Sequence, residues 1–568
     1  MKITKNSFIE LNGRERAYAV LDKGTFRELL GPFDRMKSPH LEPQGIVPEN
    51  DDGIIVARGT IDGESAVVIS IEGCFQGGGI GEVSGAKIAG AFELALRDNE
   101  NGTKTRPVLL FNTGGVRLQE ANYGLLSIAE ICAAVVALRQ YVPVVGVIPG
   151  MIGSFGGMSI TAGLFSTLII TREGRLGLNG PEVIEQEAGV EEFDSRDRKL
   201  IYQTIGGTQR HAAGFVDVLA EDESDEITQA VQAAFERGLQ AAPRSSQVNR
   251  YLKLLKAVNP SKPFGPEDLR ALWKKAEGSN AEIDAHQSTS ATSTEANHTS
   301  KNRGRKWFEA LTGIANPTKS DVPSVLSADG TLGNERVRYI AVVPNPKNRF
   351  PRARGGEVGL EEGWSIAKFV RDAIEEDHDG SRRAIVAIVD TPSQAYGYKE
   401  ELLGIHQSCA GAADAYAAAR LAGHPVIALI VGNAISGAFL SHGLQSNRIL
   451  ALNDEGVNVQ AMSKESAARV TRRTIDELEE ATKKVPAMAY DIRSFATLGA
   501  LHELIDGVNA DDPREKDIKV IVDKLLGAIA DTRSGSNDLQ NRLTSYEACH
   551  GGRLASIDVR EKLKDQWN

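Results

Sequence analysis

Each half of the chain repeats one order of elements, and that repeat restricts the fold more than any other feature of the sequence. The first half has an apolar strand ending in a turn, PVLLFNTGGVRLQE (Pro107 to Glu120), followed by a helical stretch from Leu125 to Tyr141. A second strand PVVGVIPG, the small-residue run SFGGMS and a further strand STLIIT complete it. The second half has AIVAIVDTPSQAYGYKEE (Ala384 to Glu401), an Ala-rich helix to Leu421, then PVIALIVG, AISGAF and NRILAL. Pro143 matches Pro425, Gly150 matches Gly432, and Gly156-Gly157 fall opposite Gly437-Ala438 when one gap is allowed. Strands alternating with helices at this spacing predict βα units in two similar α/β domains.

Between the halves, Glu277 to Arg305 reads EGSNAEIDAHQSTSATSTEANHTSKNRGR. It has almost no large apolar residues, so it cannot bury enough surface to offset its ordering entropy. The expected division is a domain over 1–276, a linker over 277–305 and a second domain over 306–568.

The run Val142 to Thr171 holds thirty residues without a charge and is long enough to cross a bilayer. Pro143, Pro149 and six glycines make it a poor helix, and its counterpart in the second half carries Asn433, His442, Asn447 and Arg448. Strand, loop and a helix beginning near Ser154 is the better reading, so no membrane span is expected. The opening MKITKNSFIELNGRERAYAV is charged throughout and lacks an apolar h-region, which points to the cytoplasm. Cys74, Cys132, Cys409 and Cys549 are scattered without a CxxC pair, against a disulfide framework or a structural zinc site. A net charge of −11 argues against a broad nucleic-acid surface.

Two turns in each half, TGGVR with FGGMS and QAYGY with SGAFL, are suited to aim paired backbone N–H groups at one oxygen. Donors already in place stabilise charge that appears only in a transition state, such as an oxyanion or enolate. The alternative is that small residues merely permit close packing of helix on strand. Upstream, GCFQGGGIGEVSGAK (Gly73 to Lys87) follows a strand and has GxGxxxG form, as a dinucleotide site does. The acidic residue expected at the end of the next strand is replaced by Asn112 and Thr113, which disfavours that site. A turn placing Lys87 beside an anionic ligand stays open.

The duplicated domain with its TGGVRLQE and SFGGMS turns resembles the carboxyltransferase branch of the crotonase superfamily. More narrowly, EGCFQGGGIGEVSGAKIAGAFELAL and GVEEFDSRDRKLIYQTIGGTQRHAAGFVDVLAED resemble the beta subunit of biotin-independent malonate decarboxylase. The stretch from RGRKWFEALTG through PNPKNRFPRARGGEVGLEEGW to the C-terminal region resembles its gamma subunit. The family generally has two chains where this sequence has one. The resemblance implies two tandem crotonase-like ββα domains related by an approximate two-fold. It also implies cleavage of a malonyl thioester to an acetyl thioester and CO2. The substrate is carried on the phosphoribosyl-dephospho-CoA arm of an acyl-carrier subunit, loaded by a separate transferase subunit, with a CoA thioester as surrogate and no cofactor or metal held by this chain. A homo-oligomer is left open.

By motif position the Gly115 and Gly157 amides, flanked by Gly114 and Gly156, are assigned to the thioester oxygen. The Tyr398 and Ala438 amides, flanked by Gly397 and Gly437, would form a second hole, facing biotin in biotin-using relatives and here the departing carboxylate. The enolate carbon must gain a proton, for which Tyr398, His406 and His442 are candidates. Ser436 and Gln394 are candidate carboxylate contacts, and Arg352 and Arg354 in NRFPRARGG are candidates for phosphates of the arm or an acidic carrier face. Structural hydrogen bonds, a helix cap and a solvated loop are the bland alternatives. The chain has no GxSxG elbow. Competing functions are a biotin-dependent carboxyltransferase served by a separate carrier, since no AMKM-like biotin site occurs here, and a non-catalytic scaffold for a carrier. An acetyl-CoA carboxylase beta half would need a four-cysteine zinc ribbon, which is missing.

Overall fold

A computed structural model of the chain describes residues 6–278, 302–314 and 321–568. Most of the expected linker, 279–301, lies outside the described residues. Its first two residues end the helix Pro266–Gly278, and its last three open the helix Arg303–Thr312. The chain divides into two units. Unit 1 comprises Met1–Arg244, Ala468–Met488 and Arg553–Asn568, and unit 2 comprises Ser245–Ala467 and Ala489–Gly552. The stretch before the linker therefore contributes its last residues to unit 2, and the stretch after it contributes two segments to unit 1.

Unit 1 is built on a 7-stranded sheet of strands in sequence order: β1 (Arg27–Leu29), β2 (Ile54–Ile61), β3 (Glu64–Ile71), β4 (Arg106–Leu110), β5 (Val145–Ile148), β6 (Thr167–Thr171) and β7 (Val218–Ala220). The β1–β2 and β2–β3 pairs are antiparallel, and β3 through β7 run parallel. Every residue of β5 and β6 is buried, which explains why these strands read as unbroken apolar runs rather than alternating ones. The charge-free run is thus strand, turn, the short helix Gly157–Ala162 and strand. Among the described residues no helix is long and apolar enough to cross a membrane.

The helix Leu554–Gln566, near the end of the sequence, packs in unit 1 on the helix Glu82–Glu100. A buried polar network fastens it. Ser556 donates from its backbone N and its Oγ to Glu82 Oε1 at 3.0 and 3.1 Å, while His40 Nε2 meets Glu82 Oε2 at 2.6 Å. Arg553 and Arg560 both reach Glu130 Oε2, at 3.0 and 2.8 Å, and Arg560 also pairs with Glu93 at 2.9 Å. Arg553 is fully buried and Glu82 and Glu130 nearly so. The Arg553 and Glu130 charges are compensated only while the Leu554–Gln566 helix stays on its neighbouring helices.

Unit 2 has its own 7-stranded sheet. Its strands are β8 (Val325–Leu332), β9 (Glu335–Val342), β10 (Ala384–Thr391), β11 (Val426–Ile435), β12 (Arg448–Leu452), β13 (Asn458–Gln460) and β14 (Glu503–Ile505), in the order β14-β12-β11-β10-β9-β8 with β13 on β11. Only β8–β9 is antiparallel. The helix Val248–Lys256 packs in this unit on Leu360–Glu376, where Tyr251 stacks on Trp364 with ring centroids 4.4 Å apart.

At the start of the Leu360–Glu376 helix, the fully buried Glu362 carboxyl accepts from Asn348 Nδ2 at 2.7 Å and pairs with Ser324 Oγ. Burial pushes it up to about 7, because the charged form is poorly solvated there. Since its folded value lies above its unfolded one, the contribution is fully present below about 4.5 and lost as pH rises through about 7. Glu362→Gln is expected to flatten this slope. Thermal melts of both proteins across that window check it, and parallel slopes would refute the assignment.

Candidate active site

In unit 1 the chain beyond the C-terminal ends of the parallel strands forms a second, short ladder. The segment after β4 pairs with the glycine-rich turn: Gly114 N donates to Gly77 O at 2.9 Å, Ile80 N to Gly115 O at 2.8 Å and Arg117 N to Ile80 O at 2.9 Å. On its other side Thr113 N donates to Gly153 O at 2.8 Å, and Phe155 N to Thr113 O at 3.1 Å. The segment after β6 closes the ladder, with Ser154 N to Arg175 O at 2.9 Å and Gly156 N to Leu178 O at 2.9 Å. The upstream glycines pack closely against protein, and a methyl at Gly85 would lie 2.2 Å from Ser127 Cβ. At Gly78, with φ +63°, an added methyl would lie 2.0 Å from Asn112 O.

The TGGVR and FGGMS turns are in direct contact. Gly115 has φ +102°, and a methyl there would sit 3.0 Å from Phe155 O and 3.1 Å from Gly156 Cα. Gly156, with φ +55°, sends the chain into the Gly157–Ala162 helix. The amides divide differently from the sequence expectation. Gly115 N donates to Thr113 Oγ1 at 3.0 Å and is already engaged, as in the side-chain turns that Ser and Thr commonly form. The next amide, Val116, has no acceptor among the described residues, nor does Gly157, whose N–H lies in the unsatisfied first turn of its helix. A methyl at position 156 would lie 3.9 Å from Val116 N, which sets this amide beside the second turn. Val116 is the residue that sequence reasoning missed. Thr113 at the head of the turn was the available signal.

Unit 2 repeats the ladder in a register that corrects the alignment of the turns. Val358 N donates to Ser393 O and Ala395 N to Val358 O, both at 3.0 Å, as Ile80 does with Gly115 and Arg117 in unit 1. The bridges Ile80↔Val116 and Val358↔Gln394 therefore pair Val116 with Gln394 as equivalents. Gly397 and Tyr398 lie beyond this turn, at the start of the helix Tyr398–Leu402. Likewise Thr113↔Ser154 corresponds to Thr391↔Ala434. Gly156 thus matches Ser436, which shares its left-handed backbone at φ +58°, and Gly157 matches Gly437 rather than Ala438. Gly437 N donates to Gln394 Oε1 at 3.0 Å, whereas Ala438 N has no acceptor among the described residues.

The side-chain candidates separate. His442 is fully buried, with Nδ1 2.9 Å from Tyr416 OH and Nε2 3.0 Å from Ile388 O. Burial holds its pKa down at about 4, so it is neutral at neutral pH, and with both nitrogens engaged it is a structural hydrogen-bonding group rather than a proton donor. Lys87 is also a core residue: its ammonium donates to the carbonyls of Leu30 at 2.9 Å, Asp51 at 3.1 Å and Ile54, leaving no hand for an anionic ligand. Burial lowers it to about 8. Gln394 is engaged with Gly437 instead of standing ready for a carboxylate. The Tyr398 phenol is half-buried and held above its usual value by burial and by Asp268, so it stays protonated. His406 is fully buried in the first turn of the helix Ile405–Leu421. Arg352 and Arg354 are half-exposed, and Arg354 Nε donates to Asn348 O at 3.0 Å.

Both units belong to the mixed α/β class with parallel sheets, and their close-packed turns lie beyond the C-terminal ends of the strands, the edge at which open α/β sheets generally place ligands. The family model for the malonate decarboxylase gamma subunit matches residues 353–567. The malonyl-S-ACP:biotin-protein carboxyltransferase MADC of Malonomonas rubra is 38% identical over 294 residues, 50% of this chain and 92% of that one. Its MADD counterpart from the same organism is 38% identical over 192 residues, 33% of this chain and 66% of that one. A crystal structure of a Pseudomonas malonate decarboxylase hetero-tetramer in complex with malonate has a chain 56% identical, covering 48% of this chain and 98% of its own, with a TM-score of 0.47. The chain belongs to the malonate decarboxylase family of malonyl carboxyltransferases.

Proposed function

We propose that this chain is the fused beta- and gamma-type component of a malonate decarboxylase, a carbon–carbon lyase that converts the malonyl thioester of an acyl-carrier subunit into acetyl thioester and CO2. The observation that carries this reading is the close-packed pair of turns in unit 1 with its Val116 and Gly157 amides unengaged. When the carbon–carbon bond of the malonyl group breaks, the electron pair moves onto the thioester oxygen as an enolate. Backbone amides fixed by the ladder are in place before that charge arrives, which favours the transition state over the ground state. The α-carbon then takes a proton, for which Tyr398 and His406 are the remaining candidates. Arg352 and Arg354 would meet phosphates of the phosphoribosyl-dephospho-CoA arm or an acidic carrier face.

The repeated strand-and-ladder pattern supports crotonase-like ββα architecture in both units, and we keep 1–276 and 306–568 as the beta-like and gamma-like stretches of sequence. A transferase subunit that loads the carrier completes the expected assembly. A second reading is favoured by the relatives whose names specify a biotin-protein acceptor: carboxyl transfer to biotin.

Purified full-length protein supplied with malonyl-CoA as surrogate thioester separates the two. Prompt acetyl-CoA and CO2 without biotin are expected. Turnover only with biotin, with carboxybiotin accumulating, would overturn decarboxylation in favour of the second reading.

A further inference from the structure

Equivalent positions in the two units carry different groups, and the difference bears on where the carboxyl group goes. Val116 and Gly157 of unit 1 correspond to Gln394 and Gly437 of unit 2. In unit 1 the side chain at the first position is a hydrocarbon and the Gly157 amide has no acceptor among the described residues. In unit 2 the side chain at the same position is a carboxamide, 4% exposed, and its Oε1 accepts the Gly437 amide at 3.0 Å. A carboxamide oxygen offers the same sp2 lone pairs as the carbonyl oxygen of a ligand. A ligand oxygen seeking that amide must displace it and leave a buried polar group without its partner, which weakens binding roughly tenfold or more.

We propose that Gln394 is a specificity-determining residue: it occupies the amide turn of unit 2 as an internal ligand, so that this turn is closed to the carbonyl oxygen of a carboxyl acceptor and the carboxyl group leaves as CO2. The inference rests on the function proposed above. In decarboxylation the carbon–carbon bond breaks, CO2 departs and the α-carbon is protonated from the protein or water. With a cyclic urea as acceptor the same carboxyl carbon bonds to a urea nitrogen, and the proton released by that nitrogen goes to the α-carbon. Nothing is oxidised or reduced in either case, and access of the urea is the only difference.

The test uses full-length protein, malonyl-CoA labelled in its free carboxyl group, and free biotin as the cyclic urea. The readout is the ratio of label held as carboxybiotin to label released as CO2. Gln394→Val, which installs the residue found in unit 1, and Gln394→Ala are expected to raise that ratio at least tenfold over the native protein. Gln394→Glu keeps an oxygen acceptor and is expected to stay at the native ratio. A native protein that carboxylates biotin as readily as the valine variant would overturn the proposal, as would valine and alanine variants that turn over malonyl-CoA with the native ratio. Hydrogen exchange at residues 436–440 decides the point independently of turnover: the Gly437 amide is expected to exchange faster in both variants, and unchanged exchange would refute the internal ligand. Native protein inactive on malonyl-CoA would instead count against the function reading, with the exchange result still standing for or against Gln394.

Discussion

Gly115→Ala is expected to lower malonyl-CoA turnover about 100-fold or more, whereas Gly24→Ala leaves it unchanged. Both glycines have positive φ, +102° and +83°, so both substitutions carry a similar backbone penalty of about 1 kcal/mol. They differ in surroundings. Nothing lies within 4 Å of a methyl at Gly24, while a methyl at Gly115 meets Phe155 O at 3.0 Å and Gly156 Cα at 3.1 Å. The second turn must therefore retreat by a few tenths of an ångström. That moves the Gly157 amide away from Val116, and losing one oxyanion donor costs about 100- to 1000-fold in kcat. Steady-state kinetics on both variants, each with a thermal melt to show that folding persists, makes the comparison. Equal turnover in the two would remove the contacting turns from the mechanism.

Truncation after Gly552 is expected to lower the melting temperature of unit 1 by about 10 °C or more, or to make the chain insoluble, even though everything removed lies near the C-terminus. The deletion leaves Glu82 and Glu130 buried without Ser556, Arg553 and Arg560. Breaking a buried ion pair by removing one partner costs about 3–5 kcal/mol, because the remaining charge is uncompensated. A finer version separates charge from packing. Arg553→Met alone destabilises, and Arg553→Met combined with Glu130→Leu recovers part of the loss. Denaturant titrations check this, and a truncated protein that melts like the full chain would show that the network contributes nothing.

Much of the architecture was legible in the sequence because parallel strands buried on both faces leave unbroken apolar runs, as PVVGVIPG and AIVAIV do. The paired glycine turns were legible too, since Gly115 and Gly156 occupy backbone regions that disfavour a side chain. What the residues did not disclose was register. TPSQA, not QAYGY, corresponds to TGGVR, and the reason is a pair of backbone bonds from Val358 that no residue type announces. Ser436 adopts a glycine-like backbone without being glycine, so matching by residue identity slipped by one position. Lys87 and His442 were misleading for a different reason: a titratable side chain beside a motif looks functional until its partners are seen to be core carbonyls and a buried tyrosine. Composition marked the linker. It carried no information that residues 245–276, ahead of the linker, belong to the same unit as the residues that follow it.

The placement of residues 553–568 with unit 1 also sets a timetable. Nearly all of unit 1 precedes the linker and leaves the ribosome early, yet the arginines that pair with Glu130 are synthesised only after the whole of unit 2. Domains generally fold as they emerge, amino-terminal first. Here the Glu130 carboxylate of the amino-terminal unit waits without its arginine partners until residues 553–560 have followed unit 2 out of the ribosome, so that a chain interrupted before them leaves unit 1 without that pairing.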